Sequence, residues 1–251
     1  MTTEDLDYRK MVSGKSVAIV GPAMYMMNSG HGDEIDSHDI VVRINRGLES
    51  TLLYPSDIGK RTDIYYSCLI ERAQQTGKLD PDTIINTYGI NHIVAPPHSD
   101  IKGISNSMRF HDLVDENTLR NLHMSGISIY MIDNIFHTDL AIKVNCKPNT
   151  GFLAIYDLLS TDLKSLSIYG FSFYLDGFLP GQKSGVENEK NCTEQEFANM
   201  AFNSKRHVQK NMWNYAKETL LKNPIVNLDP VLEVILNLKF LDRNLFNNIF
   251  K

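Results

Sequence analysis

The sequence predicts an α/β fold: a single Rossmann-like domain, residues 1–251, with a mainly parallel sheet flanked by helices. Three observations predict it. Short continuous apolar runs stop at turn residues, as buried parallel strands do. Segments of helical period lie between several of these runs, and that alternation is the signature of a parallel sheet covered on both faces. A chain of 251 residues with 42% hydrophobic content suits one such domain and is too apolar for a disordered chain.

The first strand is expected at Ser16–Val20, where an apolar run ends at Gly21-Pro22. Further strands are expected over residues 39–45, 63–66, 90–95, 126–132, 166–169 and 224–227. Helices are expected over 150–160, 193–221 and 230–238. Thr193 and Glu196 form a capping box for the second, and Asp229 before Pro230 is an N-cap with proline in the first turn of the third. Residues 174–192 carry Gly177, Gly181 and Gly185 and read as a lid or binding loop. The stripe Val231, Ile235, Leu238 and Phe240 reads as core, whereas Phe246, Ile249 and Phe250 are the candidates for peripheral membrane contact.

Composition narrows the function classes. The net charge is −5 and no basic tract runs longer than a pair such as Lys60-Arg61, so nucleic-acid binding, which needs clustered cations, is not expected. No run approaches the roughly 18–20 apolar residues of a membrane span. Glu4, Asp5 and Asp7 near the N-terminus do not suit a signal peptide. Cys68, Cys146 and Cys192 show no CxxC spacing, and so sparse a set fits a reducing compartment. A cytoplasmic location is the expectation.

Several familiar motifs fail. Ser13-Gly14-Lys15-Ser16 precedes a strand rather than following one, and Arg9 stands where a P-loop needs glycine. Gly21 follows the first strand without the later glycines of a dinucleotide fingerprint. Asp80-Pro81-Asp82 spells a DxD but follows a polar turn and reads as a solvated loop. No Gly-x-Ser-x-Gly elbow occurs.

Three segments do fit together. Val17–Gly21 leads into Asn28-Ser29-Gly30-His31-Gly32, then Ile35-Asp36, and the segment closes on Arg43-Ile44-Asn45. Pro148-Asn149-Thr150-Gly151 opens an apolar helix that leads to Tyr169-Gly170-Phe171. His207 lies downstream. These segments resemble the large, small and very small sialylmotifs of the sialyltransferases, glycosyltransferase family 29. Weaker echoes lie at Gly59-Lys60-Arg61-Thr62 and Tyr130-Met131-Ile132-Asp133. The likeness spans roughly Val17 to Tyr215.

The resemblance implies a GT-A-like variant of the nucleotide-sugar transferase fold. It also implies an inverting, metal-independent transfer of sialic acid, or a Kdo-like acidic sugar, from a CMP-sugar donor. The acceptor would be a hydroxyl of a glycan or glycolipid, and no cofactor would be needed. His207 would be the general base. Gly21, Asn28, Ser29, Gly30, Asn45, Asn149, Thr150, Gly151, Gly170 and Phe171 would bind the donor.

Elementary chemistry supports several of these roles. An amide at the end of a parallel strand faces the place where α/β sheets bind ligands. A helix N-terminus offers free N–H groups to an anion. Gly170 permits close backbone approach. An imidazole titrates near neutral pH. The plainer readings stay open beside them: Asn149 and Thr150 also suit a helix N-cap, and His207, expected mid-helix, also suits a surface position.

The chain departs from the family pattern at Pro22-Ala23-Met24, where Asn-Ser-Gly is usual, and at Asn149, where serine is usual. The glutamate expected after the histidine is Met212. The disulfide that links the two motifs in animal members has neither cysteine here, with Val17 at the large-motif position. Pro22 and Met212 leave a second reading open, a nucleotide- or glycan-binding protein of the same fold that has lost turnover.

Overall fold

Strand β1 (Ser16–Val20) lies parallel to β2 (Ile40–Ile44) on one side and β6 (Ser165–Tyr169) on the other. Outward from β2 follow β3 (Ile64–Tyr66), β4 (His92–Ala95) and β5 (Ser128–Met131); outward from β6 follows β7 (Val226–Leu228). Among the described residues every strand pairing is parallel, giving a seven-stranded sheet in the order β5-β4-β3-β2-β1-β6-β7. A computed structural model describes residues 3–70, 79–97, 101, 104, 114–180 and 193–250. All seven predicted strands are present, shifted at their ends by at most three residues.

The period of two along each strand divides the core. Val17, Ile19, Val42, Ile44, Leu166 and Ile168 belong to one cluster with Phe152, Met212, Trp213 and Ile235. Ala18, Val20 and Val41 point to the opposite face and pack on Met26, Ile35 and Ile58. Helices accordingly cover both faces. Among the described residues the α-helices are α1 (Thr3–Val12), α2 (Gly32–Asp36), α3 (Gly47–Leu53), α4 (Pro55–Ile58), α5 (Glu116–Met124), α6 (Asn134–Val144), α7 (Thr150–Leu159), α8 (Glu194–Phe202), α9 (Gln209–Thr219), α10 (Pro230–Asn237) and α11 (Arg243–Ile249). Among the described residues no helix is long and apolar enough to cross a membrane.

The helix expected over 193–221 is two helices. The capping box of Thr193 and Glu196 starts α8 as predicted, but α8 ends at Phe202 and α9 starts at Gln209. Polar side chains end the first helix by competing for backbone groups: Asn203 Nδ2 donates to Asn199 O at 2.9 Å, and Ser204 Oγ accepts from His207 N at 3.1 Å. His207 therefore sits in the break rather than mid-helix.

Two C-terminal expectations also change. Leu238, the C-cap of α10, is extended with ψ 152°; the helical stripe stops there, and Phe240 is 52% exposed. Phe246 is 3% exposed and joins the main core, whereas Ile249 and Phe250 lie at the surface. Of the predicted lid, residues 181–192 lie outside the described residues.

Candidate functional site

The chain runs outward from β1 through β5, then returns to place β6 on the free side of β1. The direction of winding reverses between β1 and β6, and such switch points open a crevice at the carboxyl ends of the strands. Here the ends are Gly21 and Gly170, whose backbones cross in close contact. Gly21 N donates to Tyr169 O at 2.7 Å, and Ala23 N donates to Gly170 O at 3.0 Å. A Cβ on Gly21 would lie 2.4 Å from Gly170 O, and one on Gly170 would lie 2.8 Å from Gly21 O. Gly170 also has φ 72°, which glycine adopts without penalty. Asp229 Oδ2 fixes this turn by accepting from Gly170 N at 2.9 Å and from the Tyr25 hydroxyl at 2.6 Å.

A cavity of about 440 Å³ opens at these strand ends. Seven of the eleven candidate site residues line it: Asn45, Asn149, Thr150, Gly151, Gly170, Phe171 and His207. Gly21 supports the wall from behind through Gly170. Asn28, Ser29 and Gly30 lie outside the lining, where Ser29 Oγ donates to Asp57 O at 3.1 Å and Gly30 N donates to Asp57 Oδ1 at 3.1 Å. Their turn, with φ near +65° at Asn28 and Gly30, anchors the large-motif segment to α4.

Asn45 follows β2 with φ 46°. Its Oδ1 accepts from Cys68 N at 3.0 Å, so its Nδ2 is the group left for a ligand. Asn149 caps α7, with Oδ1 accepting from Phe152 N at 2.9 Å and Nδ2 donating to the Tyr174 hydroxyl at 3.4 Å. The next two N–H groups, of Thr150 and Gly151, are helix-terminal donors at the cavity wall. Gly151 leaves room for Phe171, whose Cε1 would stand 2.9 Å from an added Cβ.

His207 is partly buried, and its Nδ1 lies 2.8 Å from Lys147 O. A carbonyl only accepts, so Nδ1 carries the proton and Nε2 keeps the lone pair. Burial pushes the His207 pKa down to about 4 against the opposing pull of that carbonyl, and the charges of Arg206 and Lys147 add to the depression. The ring is neutral at neutral pH.

The cavity also holds cations that the motif reading did not single out: Arg46, Lys147 and Arg206 line it. Among the described residues no carboxylate does, although the chain as a whole is acidic. Each cation is a sequence neighbour of a motif residue: Arg46 follows Asn45, Lys147 precedes Pro148 and Arg206 precedes His207. That adjacency was the available signal. Asp80 of the DxD lies elsewhere and holds Thr83, accepting from its N at 3.0 Å and its Oγ1 at 2.6 Å. No cluster of three or more potential metal-binding side chains occurs among the described residues.

Comparison with known proteins agrees with the motif resemblance. Residues 3–85 match the model of glycosyltransferase family 29 (sialyltransferase). Over 63 residues the chain is 36% identical to CMP-N-acetylneuraminate-beta-galactosamide-alpha-2,3-sialyltransferase 1 of Gallus gallus. That match covers 25% of this chain and 18% of that protein, so the chain spans less than a fifth of the length of this relative. The crystal structure of a mammalian sialyltransferase overlays with a TM-score of 0.53 at 15% identity, covering 88% of this chain and 70% of the other; the fold is shared. The sialyltransferase CstII from Campylobacter jejuni, in complex with cytidine-5'-monophosphate, overlays with a TM-score of 0.48 at 14% identity, covering 91% and 88%.

Proposed function

We propose that the chain is a sialyltransferase-like enzyme that moves an acidic sugar, sialic acid or a Kdo-like sugar, from a CMP donor to a glycan or glycolipid hydroxyl. One observation carries this reading. The cavity gathers Asn45, the Asn149-Thr150-Gly151 helix start and His207 around three cations with no carboxylate among its described lining residues. Such a lining attracts an anion. The helix N-terminus and the cations then meet the phosphate and the sugar carboxylate.

The reaction is a single displacement. The acceptor oxygen attacks the anomeric carbon, the bond from that carbon to the phosphate oxygen breaks, and CMP leaves as a phosphate monoester. Inversion follows from attack opposite the leaving group. His207 Nε2 takes the proton of the acceptor hydroxyl, and the Lys147 carbonyl holds the ring in the tautomer that makes this possible. Arg46, Lys147 and Arg206 balance the charge on the departing phosphate, so the transfer proceeds without a metal ion or cofactor. We also place the protein in the cytoplasm; the buried free thiols of Cys68 and Cys146 support that assignment.

A second reading is a protein that binds the nucleotide or glycan without turnover. Two wall residues favour it: Pro22, which offers no donor, and the fully buried Met212 at the expected glutamate position. A thermal-shift screen with CMP, CDP, UMP, UDP, GDP and NAD, without added metal, tests both at the binding step. Stabilisation by CMP or CDP alone supports a CMP site; stabilisation by another nucleotide, or by none, refutes it. Transfer from CMP-sialic acid then separates the enzyme from the binding protein.

A further inference from the structure

Three aromatic side chains in the cavity wall stand apart from the core. Tyr174, Phe178 and Phe197 line the cavity, yet among the described residues they belong to none of the hydrophobic clusters that cover the sheet. They pack on one another instead. The Phe178 ring touches both of the others, its centroid 4.9 Å from that of Tyr174 and 4.8 Å from that of Phe197, with planes inclined by 31° and 35°. Phe178 is 7% exposed, whereas Tyr174 and Phe197 are each partly exposed. Aromatic surface is thus accessible on two residues of the cavity wall.

The backbone that carries these rings is strained. Phe173 and Tyr174 both have positive φ, 52° and 60°, a region that non-glycine residues disfavour. Such residues persist where the surroundings over-determine them, and they concentrate at ligand clamps. Here the ties are several. Leu175 N donates to Ser172 O at 3.1 Å, and Leu175 O accepts from Arg243 Nε at 2.9 Å. Asp176 Oδ2 accepts from Tyr25 N at 2.6 Å. Phe178 forms a β-bridge with Ala23, and Leu179 N donates to Pro22 O at 2.8 Å. The departure from the family pattern at Pro22-Ala23-Met24 therefore falls on the segment that holds the aromatic turn.

The rings adjoin the groups assigned to the reaction. Phe197 and Ala201, four apart on one face of α8, both line the cavity, and α8 leads into the break that carries His207. The Tyr174 hydroxyl accepts from Asn149 Nδ2 at 3.4 Å, at the start of α7. A pyranose carries hydroxyls around its rim and C–H groups on its faces, and an apolar C–H face fits the electron-rich face of an aromatic ring. We infer that Tyr174 and Phe197, backed by Phe178, hold a pyranose ring by stacking on its C–H face and so direct a rim hydroxyl towards His207 Nε2. The sugar site stands on the rings alone; calling that sugar the acceptor rests on the transfer reading.

Saturation-transfer NMR on the full chain, with methyl β-D-galactopyranoside, methyl β-D-glucopyranoside and the acyclic polyol sorbitol, tests the site. Transfer is expected to at least one pyranoside, stronger at the protons of one ring face than of the other, and not to sorbitol. Phe197→Leu and Tyr174→Leu, with folding checked by circular dichroism, should each weaken pyranoside binding by about two- to tenfold, the worth of one aromatic contact. Phe197→Trp should keep it. No transfer to either pyranoside, equal transfer to sorbitol, or unchanged binding in either folded leucine variant overturns the inference. Calorimetry with CMP separates the readings. CMP affinity is expected to be the same in Phe197→Leu as in the unmodified protein; a fall as large as that for the pyranoside would give the rings to the nucleobase and overturn the sugar site. Pyranoside binding without CMP binding supports the sugar site while refuting the donor reading, and CMP binding without pyranoside binding does the reverse.

Discussion

His207 Nδ1 and the carbonyl oxygen of Lys147 are 2.8 Å apart, although sixty residues separate them in sequence. The bond joins the break between α8 and α9 to the segment that leads into α7. It also sets the imidazole tautomer and leaves Nε2 as the lone-pair donor. His207→Ala is therefore expected to lower the rate of transfer by about 10²–10⁴-fold, the usual contribution of a general base, with CMP affinity nearly unchanged. Steady-state kinetics beside calorimetry check this. Activity equal to that of the unmodified protein would refute the role; no activity in either protein would favour the binding-only reading.

The same burial gives a pH signature. The folded pKa of His207, about 4, lies below the ordinary value near 6.5, so the unfolded chain binds more protons between these values. Stability from this group is fully present above about pH 6.5 and is lost as the pH falls through about 4, by up to about 3 kcal/mol. Thermal melts from pH 7 to pH 4 should fall less steeply for His207→Gln than for the unmodified chain. Parallel curves would show that the ring is not held neutral.

Gly170→Ala is expected to destabilise the fold by about 1–3 kcal/mol, the range for a non-glycine residue held at an unfavourable positive φ, with further loss from the contact to Gly21 O. Gly21→Ala meets Gly170 O at 2.4 Å and should be at least as damaging. Urea denaturation measures both. Near-unchanged midpoints would mean that the two backbones separate readily.

Asn45→Ala should weaken CMP binding by about 1–3 kcal/mol through loss of a hydrogen bond in the site. It also removes the partner of Cys68 N, so a small fall in melting temperature should accompany it. Calorimetry with CMP decides the matter, and unchanged affinity would leave Asn45 with only its structural bond.

Transfer should proceed at full rate in EDTA, because the proposed mechanism balances the phosphate charge with Arg46, Lys147 and Arg206 rather than with a metal ion. An assay with and without chelator, followed by Mn²⁺, tests this. Activity abolished by EDTA and restored by Mn²⁺ would sink the metal-free reading.

The strands were legible because each is a short apolar run closed by a turn residue, and that pattern is local. The division of Thr193–Leu221 was not legible, because Asn203 and Ser204 also suit an exposed helix face; only their bonds to Asn199 and His207 end the helix. The large-motif pattern mixes two jobs that sequence alone does not separate. Asp36 of that motif accepts from Lys60 N at 2.9 Å and Arg61 N at 3.0 Å, and Ser29 and Gly30 bond to Asp57, so these residues hold the fold. Asn45, a few residues on, reaches the cavity.

By itself, the sequence determined the α/β class and the seven strands, and its motif resemblance singled out Asn45, Asn149-Thr150-Gly151, Gly170-Phe171 and His207 as candidates. Local periodicity is enough for the class and the strands; the candidates came from the likeness of the motifs. Tertiary structure decided which of the candidates meet. The return of β6 to the free side of β1 sets Gly170 against Gly21 and makes the crevice. The break before α9 turns His207 towards Lys147. The packing of α7, α9 and α10 gathers Phe152, Met212 and Leu232 into the main core. These juxtapositions join residues far apart in the chain, and no local pattern encodes a distance between them.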